Sequence, residues 1–230
     1  MRRGIPMSDL KWPIVHPDRI QLYSLATPNG QKVSLALEEL ELPYEAHRVD
    51  VMAGDQFTEE YRAISPNSKI PAIIDPAGPQ GRPLVLMESG AILLYLAEKT
   101  GRLLPQGPEK FGYLQWLFFQ VGHIGPMFGQ FGHFYRYAKD KCDHPYPLQR
   151  YQTESQRLLG VLEARLKESE YIGGPLYSIV DISIFPWVDC LGTFYQARDI
   201  LQLQNFPKVL AWLDRCKARP SYDRGSRVCS

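Results

Sequence analysis

Ser65-Pro66-Asn67-Ser68-Lys69-Ile70-Pro71-Ala72 is a small, polar run that ends in a proline set directly before the apolar segment Ala72 to Asp75. Proline has no N–H to give to a ladder and is confined to strand starts, edges and bulges. Pro71 therefore marks the entry to a strand. On local grounds an ordinary trans edge-strand proline is the expected form, because cis is adopted by only about one X–Pro bond in twenty. Upstream, Ile20 to Leu25 reads as a strand. Gln31 to Glu41 reads as a helix with Val33, Leu35, Ala36, Leu37 and Leu40 as its apolar faces, and Pro43 ends it before a second strand, Tyr44 to Val51. A loop and short helix fill Met52 to Ile64. Downstream, residues 76–83 carry three prolines and two glycines and form a loop. Leu84 to Met87 is a fourth strand, and Glu88-Ser89-Gly90 opens a helix over Ala91 to Lys99 with Gly101 as its stop.

The order is β-α-β, a loop, then β-β-α, with a proline at the third strand. That is the thioredoxin-like pattern. Its first strand meets its first helix at Thr27-Pro28-Asn29-Gly30. Thr27 can cap the helix and Pro28 suits a first turn whose N–H would have no partner. The N–H groups and dipole at such an end suit an anion, and a thiolate held there would have a depressed pKa. The stretch has donors for a thiolate and no thiol of its own, so the sulfur would have to arrive with a ligand. A purely structural cap is the alternative. The same pair of readings applies at Glu88-Ser89: Ser89 is either a plain N-cap or, with Glu88, a reader of a free amino-acid end, the hydroxyl and N–H groups taking the carboxylate and Glu88 the ammonium.

The chain has 230 residues, 44% of them hydrophobic and 22% charged, with a net charge of +1. This is the composition of a globular protein of one large or two smaller domains, and the charge balance suggests no nucleic-acid partner. No apolar run approaches the roughly 18 residues of a membrane span. Residues 1–19, with Arg2 and Arg3, lack the apolar core of a signal peptide and read as an N-terminal arm. Cys142, Cys190, Cys216 and Cys229 are widely spaced, with no C-x-x-C, so neither a zinc clip nor a dithiol redox motif is expected, and a reducing cytoplasm is the natural setting.

After a linker, Leu103 to Pro108, the second half turns helical. Glu109 to about Tyr137 reads as one long helix interrupted by Gly122, Gly125, Gly129 and Gly132 and kinked by Pro126, with glycines that would admit another backbone or a ligand. His133-Phe-Tyr-Arg-Tyr-Ala-Lys139 is basic and aromatic and could attract carboxylates, or be a solvated helix end. Pro147 to about Glu170 is a second long helix with Leu158, Leu159, Val161, Leu162, Ala164 and Leu166 as its apolar set. Tyr171 to Pro175 is a turn. Ser178-Ile-Val-Asp181 starts a buried helix with a capping-box spacing, which makes Asp181 a folding element rather than a catalyst. Pro207 to Ala218 is a final helix. The tail from Arg215 has five Lys and Arg against Asp223 and reads as a solvated basic end.

A thioredoxin-like half followed by an all-helical half resembles the cytosolic glutathione transferase family, over nearly the whole chain beyond residue 19. The resemblance rests on Thr27 to Val33, Pro66 to Ala72, Glu88-Ser89-Gly90 and Ser178 to Asp181. Within the family the chain is similar to the nu class, bacterial relatives of the fungal prion-like transferases, through Thr27-Pro28-Asn29-Gly30, Gln115-Trp116-Leu117-Phe118 and Phe131-Gly132-His133-Phe134-Tyr135. The resemblance implies an α+β thioredoxin-like glutathione-binding domain with a mixed four-stranded sheet over 20–102, an all-helical domain over 109–230, and a cis Ile70–Pro71 bond. It also implies a cytoplasmic homodimeric enzyme, a glutathione-dependent disulfide-bond reductase with two glutathiones or their disulfide in each site, needing no metal and acting on small disulfides.

Carried over by the same resemblance, Thr27 and Asn29 would face the glutathione sulfurs as the catalytic pair, in the place where other classes use a Tyr or Ser; Tyr23 and Ser24 are disfavoured. The Ile70 main chain would pair with the cysteinyl part, Glu88 and Ser89 would hold the γ-glutamyl end, and Gln56 and Lys69 would approach the glycyl carboxylate. Arg150 would reach across the dimer. His133 and Arg136 are not carried over by the resemblance; the charge of their stretch makes them candidates for a second glutathione. Two alternatives stand beside this reading: conjugation of glutathione to small electrophiles, and a glutathione-binding regulatory protein without turnover.

Overall fold

β1 (Ile20–Ser24) is buried along its whole length on both faces, which marks it as a central strand. The computed structural model describes residues 11–138 and 140–230; arm residues 1–10, with Arg2 and Arg3, and Lys139 of the basic aromatic stretch lie outside the described residues. With β2 (Tyr44–Arg48), β3 (Ala72–Asp75) and β4 (Leu84–Met87), β1 forms a four-stranded mixed sheet in the order β2-β1-β3-β4. β1 and β2 are parallel, with Tyr23 opposite His47; β1–β3 and β3–β4 are antiparallel. β2 ends three residues before the expected Val51.

The central position explains Gln21. Its amide donates to the carbonyls of His16 and Arg19, and its oxygen faces His47 Nε2 at 2.8 Å, so a buried polar side chain in a middle strand is satisfied. Tyr23 stacks on His47 and meets Trp12 edge-on, in a cluster with Val49 and Tyr61. Trp12 belongs to the arm. Its indole N–H donates to Arg48 O at 2.7 Å, Lys11 pairs with Asp55, and the N–H groups of Val15 and His16 donate to the Glu45 carboxylate. Residues 11–19 are thus tied to the sheet.

The described chain divides into two compact units, one running to Ile92 and regaining Arg224–Ser230, the other covering Leu93–Asp223. In the first, α1 (Pro28–Glu39) crosses from β1 to β2 and buries Val33, Leu35, Ala36 and Leu37. A 3₁₀ turn, Asp55–Phe57, and α2 (Glu59–Ile64) lead to the loop before β3. α3 (Ser89–Thr100) begins in this unit and ends at Gly101, whose φ of 65° is the left-handed stop expected of it. The tail is not the solvated end that its charge suggested. Ser34 Oγ donates to Gly225 O at 2.6 Å, Gln31 to Ser226 O, Arg224 pairs with Glu38, and Ala26 N–H donates to Cys229 O.

In the second unit the expected single helix over 109–137 is a chain of segments: a 3₁₀ turn (Gly107–Glu109), α4 (Lys110–Phe119), a π-helical turn (Gln120–Ile124), α5 (Gly125–Gly132) and a second π turn (His133–Tyr137). Pro126 explains the first widening. It cannot donate to the carbonyl four residues back and its ring crowds that carbonyl; the preceding Gly125 N–H donates to Gln120 O instead, five residues back. Gly132 admits neither backbone nor ligand. A Cβ there would overlap the Tyr195 ring, so the glycine seats a side chain of the same unit.

α6 (Pro145–Glu168) buries Leu158, Leu159, Leu162 and Leu166 but leaves Ala164 exposed. α7 (Ile179–Gly192) starts with the capping box read from Ser178 and Asp181. Asp181 is fully buried and accepts from Ile172 N, Ser178 N, Ser178 Oγ and Trp212 Nε1 at 2.9–3.1 Å, the last of these on α8 (Pro207–Lys217). Burial pushes its carboxyl pKa up, and these donors pull it down. α9 (Pro220–Gly225) closes the helical set. No helix among the described residues is long and apolar enough to cross a membrane.

Candidate functional site

Thr27 is extended and caps α1: its hydroxyl accepts from Gly30 N at 3.4 Å, and its carbonyl accepts the first helical bond from Gln31. The helix begins at Pro28 rather than Gln31, which puts Asn29 in its first turn. Gly30 is required for a local reason. A Cβ there would overlap Leu25 O and meet Ser24 Oγ, so the helix end lies close on the chain leaving β1. The same packing removes Ser24 as a nucleophile-activating hydroxyl. Ser24 is buried beneath α1, with Oγ on Leu25 O, and Tyr23 is sealed in the Trp12 cluster, its phenol pushed up to about 12 by burial.

Beside Asn29 lies a cleft of about 270 Å³. Its walls come from three places: Asn29 on α1; Ser65, Asn67, Lys69, Ile70 and Pro71 on the loop before β3; and Met87, Glu88 and Ser89 where β4 passes into α3. Ile70–Pro71 is cis, as the resemblance implied and local sequence did not. Ile70 lies outside the ladders, which begin at Ala72. The loop is pinned from beneath. The hydroxyls of Tyr61, fully buried, and Ser65 both donate to Lys69 O at 2.9 Å.

Two non-glycine residues at the cleft are left-handed, Ser68 at φ 55° and Glu88 at φ 70°. For residues with a Cβ this region costs roughly 1–2 kcal/mol. At Glu88 it turns the chain sharply at the start of α3, where Glu88 O accepts the first bond from Ile92 N. Ser89 is therefore inside the first turn, not the cap. It is buried, whereas the Glu88 and Lys69 side chains are exposed. The cleft wall thus offers an acid and a buried hydroxyl at α3, a base on the loop and an amide at α1.

The residue that sequence reasoning passed over is Lys32, on α1 one turn after Asn29. It is 1% exposed. Its Nζ donates to Asn29 Oδ1 at 2.8 Å and to Ser89 Oγ at 3.4 Å. Desolvation brings its pKa down from 10.5 to about 7, against an opposing pull from Glu88. A signal existed: Leu35 and Ala36, three and four residues on, place Lys32 on an apolar face of the helix. Ser65, Asn67 and Met87 were likewise not singled out.

Thr27, two residues before Asn29, and the other expected residues fall outside this lining. Gln56 donates its amide to Val51 O at 3.2 Å, and its buried Oε1 has no partner among the described residues. Arg150, exposed near the start of α6, His133 against Phe134, and Arg136 with its guanidinium 4.7 Å from the Phe194 ring all belong to the second unit. The four cysteines are free thiols and none lines the cleft; Cys190 and Cys216 are buried, and burial pushes Cys190 up to about 12. Among the described residues no group of three or more His, Cys, Asp or Glu is placed to hold a metal ion.

A thioredoxin-like sheet followed by a helical half, with a cis-proline cleft that holds no cysteine, defines a glutathione transferase fold. Residues 26–99 match the glutathione S-transferase N-terminal domain and residues 147–220 the glutathione S-transferase C-terminal domain. The chain is 48% identical over 204 residues to the disulfide-bond oxidoreductase YfcG of Escherichia coli K12, covering 88% of this chain and 92% of that protein. A glutathione transferase family member from Pseudomonas fluorescens Pf-5, solved with two glutathione bound, superposes with a TM-score of 0.93 at 51% identity, covering 95% of this chain and 96% of that one. A glutathione transferase from Pseudomonas putida, solved with one glutathione disulfide per subunit, superposes with a TM-score of 0.92 at 51% identity over 94% of each chain. This chain belongs to the glutathione S-transferase family.

Proposed function

We propose that the protein is a glutathione-dependent disulfide-bond reductase that uses the thiols of bound glutathione, two per site. The observation that carries the reading is a polar cleft beside Asn29 that contains no thiol. Relatives of half-identical sequence support it: one is named a disulfide-bond oxidoreductase and others were solved with two glutathiones or with glutathione disulfide. In this reading glutathione is substrate. Glu88 and Ser89 hold the γ-glutamyl end, the Ile70 main chain pairs with the cysteinyl part, and Lys69 with Gln56 reads the glycyl carboxylate. Thr27 and Asn29 face the sulfur. His133 and Arg136 serve a second glutathione, and Arg150 acts across a homodimer. The glutathione-binding domain is the thioredoxin-like stretch 20–102, followed by helices from 109 on, and the setting is a reducing cytoplasm.

The chemistry is thiol–disulfide exchange. A glutathione thiolate attacks one sulfur of the substrate disulfide, forming a mixed disulfide and releasing the other half as thiolate. A second glutathione thiolate attacks the glutathione sulfur of that mixed disulfide, giving glutathione disulfide and the second reduced half. Atoms and electrons balance without a protein cysteine. A free cysteine thiol has a pKa near 8.5, so little thiolate exists at neutral pH. One hydrogen bond to a charged group is worth roughly 1.5–3 kcal/mol, or about one to two pKa decades. The Thr27 hydroxyl accepts from Gly30 N and keeps its own proton to donate; the Asn29 amide supplies a second donor.

The test compares a cysteine-free variant (Cys142→Ser, Cys190→Ala, Cys216→Ala, Cys229→Ser) with Thr27→Ala and Asn29→Ala, in glutathione-dependent reduction of 2-hydroxyethyl disulfide. The cysteine-free protein should retain turnover. Each of the other two should lose roughly tenfold or more, with Thr27→Ala checked for folding because its cap is worth about 1 kcal/mol. A folded cysteine-free variant that loses the reaction while both others keep it refutes the reading.

A further inference from the structure

Lys32 is a buried ammonium whose two acceptors, Asn29 Oδ1 and Ser89 Oγ, are both neutral. The charge that acts in its favour, Glu88, does so from beyond hydrogen-bond range and is itself exposed. Burying such a charge opposes folding, and a methionine of similar length would fill the same space without that cost. The position therefore calls for an explanation other than stability, and its contacts supply one.

An ammonium has donors and no acceptor. While Lys32 carries its proton, the Asn29 atom that faces it must be the carbonyl oxygen, which settles by chemistry an amide orientation that heavy-atom positions alone leave ambiguous. With Oδ1 held toward Lys32, the Nδ2 donors point away from Lys32 within the amide plane, and Asn29 lines the cleft. Without Lys32 the amide could turn over and offer lone pairs to an anion. Lys32 also reaches Ser89, so one side chain ties together the α1 and α3 ends of the cleft.

We propose that Lys32 is a positioning residue: its ammonium fixes the Asn29 amide with Nδ2 toward the ligand sulfur and links that residue to Ser89. The proposal rests on the reading above in which Asn29 serves the glutathione sulfur. It adds that the donor is effective because a residue that never touches the sulfur orients it.

The experiment is a double-mutant cycle on the full chain with Lys32→Met, Asn29→Ala and the pair. Three quantities are read: kcat for 2-hydroxyethyl disulfide at saturating glutathione, glutathione affinity by calorimetry, and the pKa of the bound thiol from thiolate absorbance. Lys32→Met is expected to lower kcat roughly tenfold, the worth of one charge-assisted hydrogen bond, and to raise the bound-thiol pKa. In the Asn29→Ala background the same substitution should change kcat less than about twofold, since residues acting as a unit are not additive. Equal losses in both backgrounds, or an unmoved thiol pKa, overturn the proposal while leaving the reductase reading intact. If Asn29→Ala by itself leaves kcat and the thiol pKa unchanged, Asn29 does not serve the sulfur and both readings of these residues fall. Should Lys32→Met be recovered unfolded, Lys32→Gln takes its place; it keeps N–H donors with a shorter reach, and its smaller loss in kcat should vanish in the Asn29→Ala background by the same criterion.

Discussion

Lys32→Met should also change how stability depends on pH, in a direction set by its burial. The folded-state pKa of Lys32 is about 7, against 10.5 for an exposed lysine, and desolvation is the main cause. Below pH 7 both folded and unfolded chains carry the proton, and the folded state bears the full cost of the buried charge. Between about 7 and 10.5 the folded chain has released a proton that the unfolded chain keeps, so stability rises with pH at up to about 1.4 kcal/mol per pH unit. Above 10.5 the cost is gone. Integrated over that interval the net cost is roughly 5 kcal/mol. The methionine variant has no such group. In urea unfolding of the ligand-free proteins at pH 6.5, 7.5 and 9, it should be the more stable by a few kcal/mol at the lowest pH. Its advantage should shrink by roughly 2 kcal/mol by the highest, or about 4–8 °C in Tm for a chain of this size. Other titrating groups are common to both proteins and cancel in the difference. A difference that is flat across this range, or that widens as pH rises, would refute the buried-ammonium reading.

Asp181→Ala should destabilise the second unit by about 3–5 kcal/mol, because it strands the buried donors of Ile172, Ser178 and Trp212; a loss under about 1 kcal/mol in urea unfolding would show that these donors find other partners. Glu88→Ala and Ser89→Ala should weaken glutathione binding more than they slow the bound-state step, since they hold a part of the ligand remote from the sulfur. Unchanged affinity by calorimetry would place the ligand elsewhere. The protein should sediment as a dimer at micromolar concentration, and a monomer there would remove the cross-subunit role proposed for Arg150.

Much of the fold was legible because its signals are local. Thr27 before Pro28, Ser178 three residues from Asp181 and Gly101 after its helix each report backbone groups at an element end, and such groups are satisfied within a few residues. Strands β3 and β4 were read with their observed bounds because prolines and the loop over 76–83 bracket them. Glu88 with Ser89, and the turn that holds Asn29, could be read locally as either caps or ligand sites, whereas Lys69 entered only through the resemblance; the structure brings all four to one cleft. Pro126 announced an interruption of its helix without saying that the chain would answer with a widened turn. That outcome depends on which carbonyl can accept from Gly125.

What the sequence by itself determined is the order of the main elements, the bounds of those bracketed by proline and glycine such as β3 and β4, and the absence of a redox dithiol. Local hydrogen bonding and periodicity decide those matters. Only the tertiary structure decided which neighbours distant residues would have. Ser34 meets the Gly225 carbonyl across 191 positions, Trp12 reaches Arg48, and Lys32 meets Ser89 57 residues away. These pairings carry no local signature, because each results from packing two surfaces that are far apart in the chain. Lys32 shows the consequence most directly. A lysine in a helix reads as a solvated charge until the fold buries it, and the removal of water then brings its pKa near neutrality and makes it a partner for Asn29.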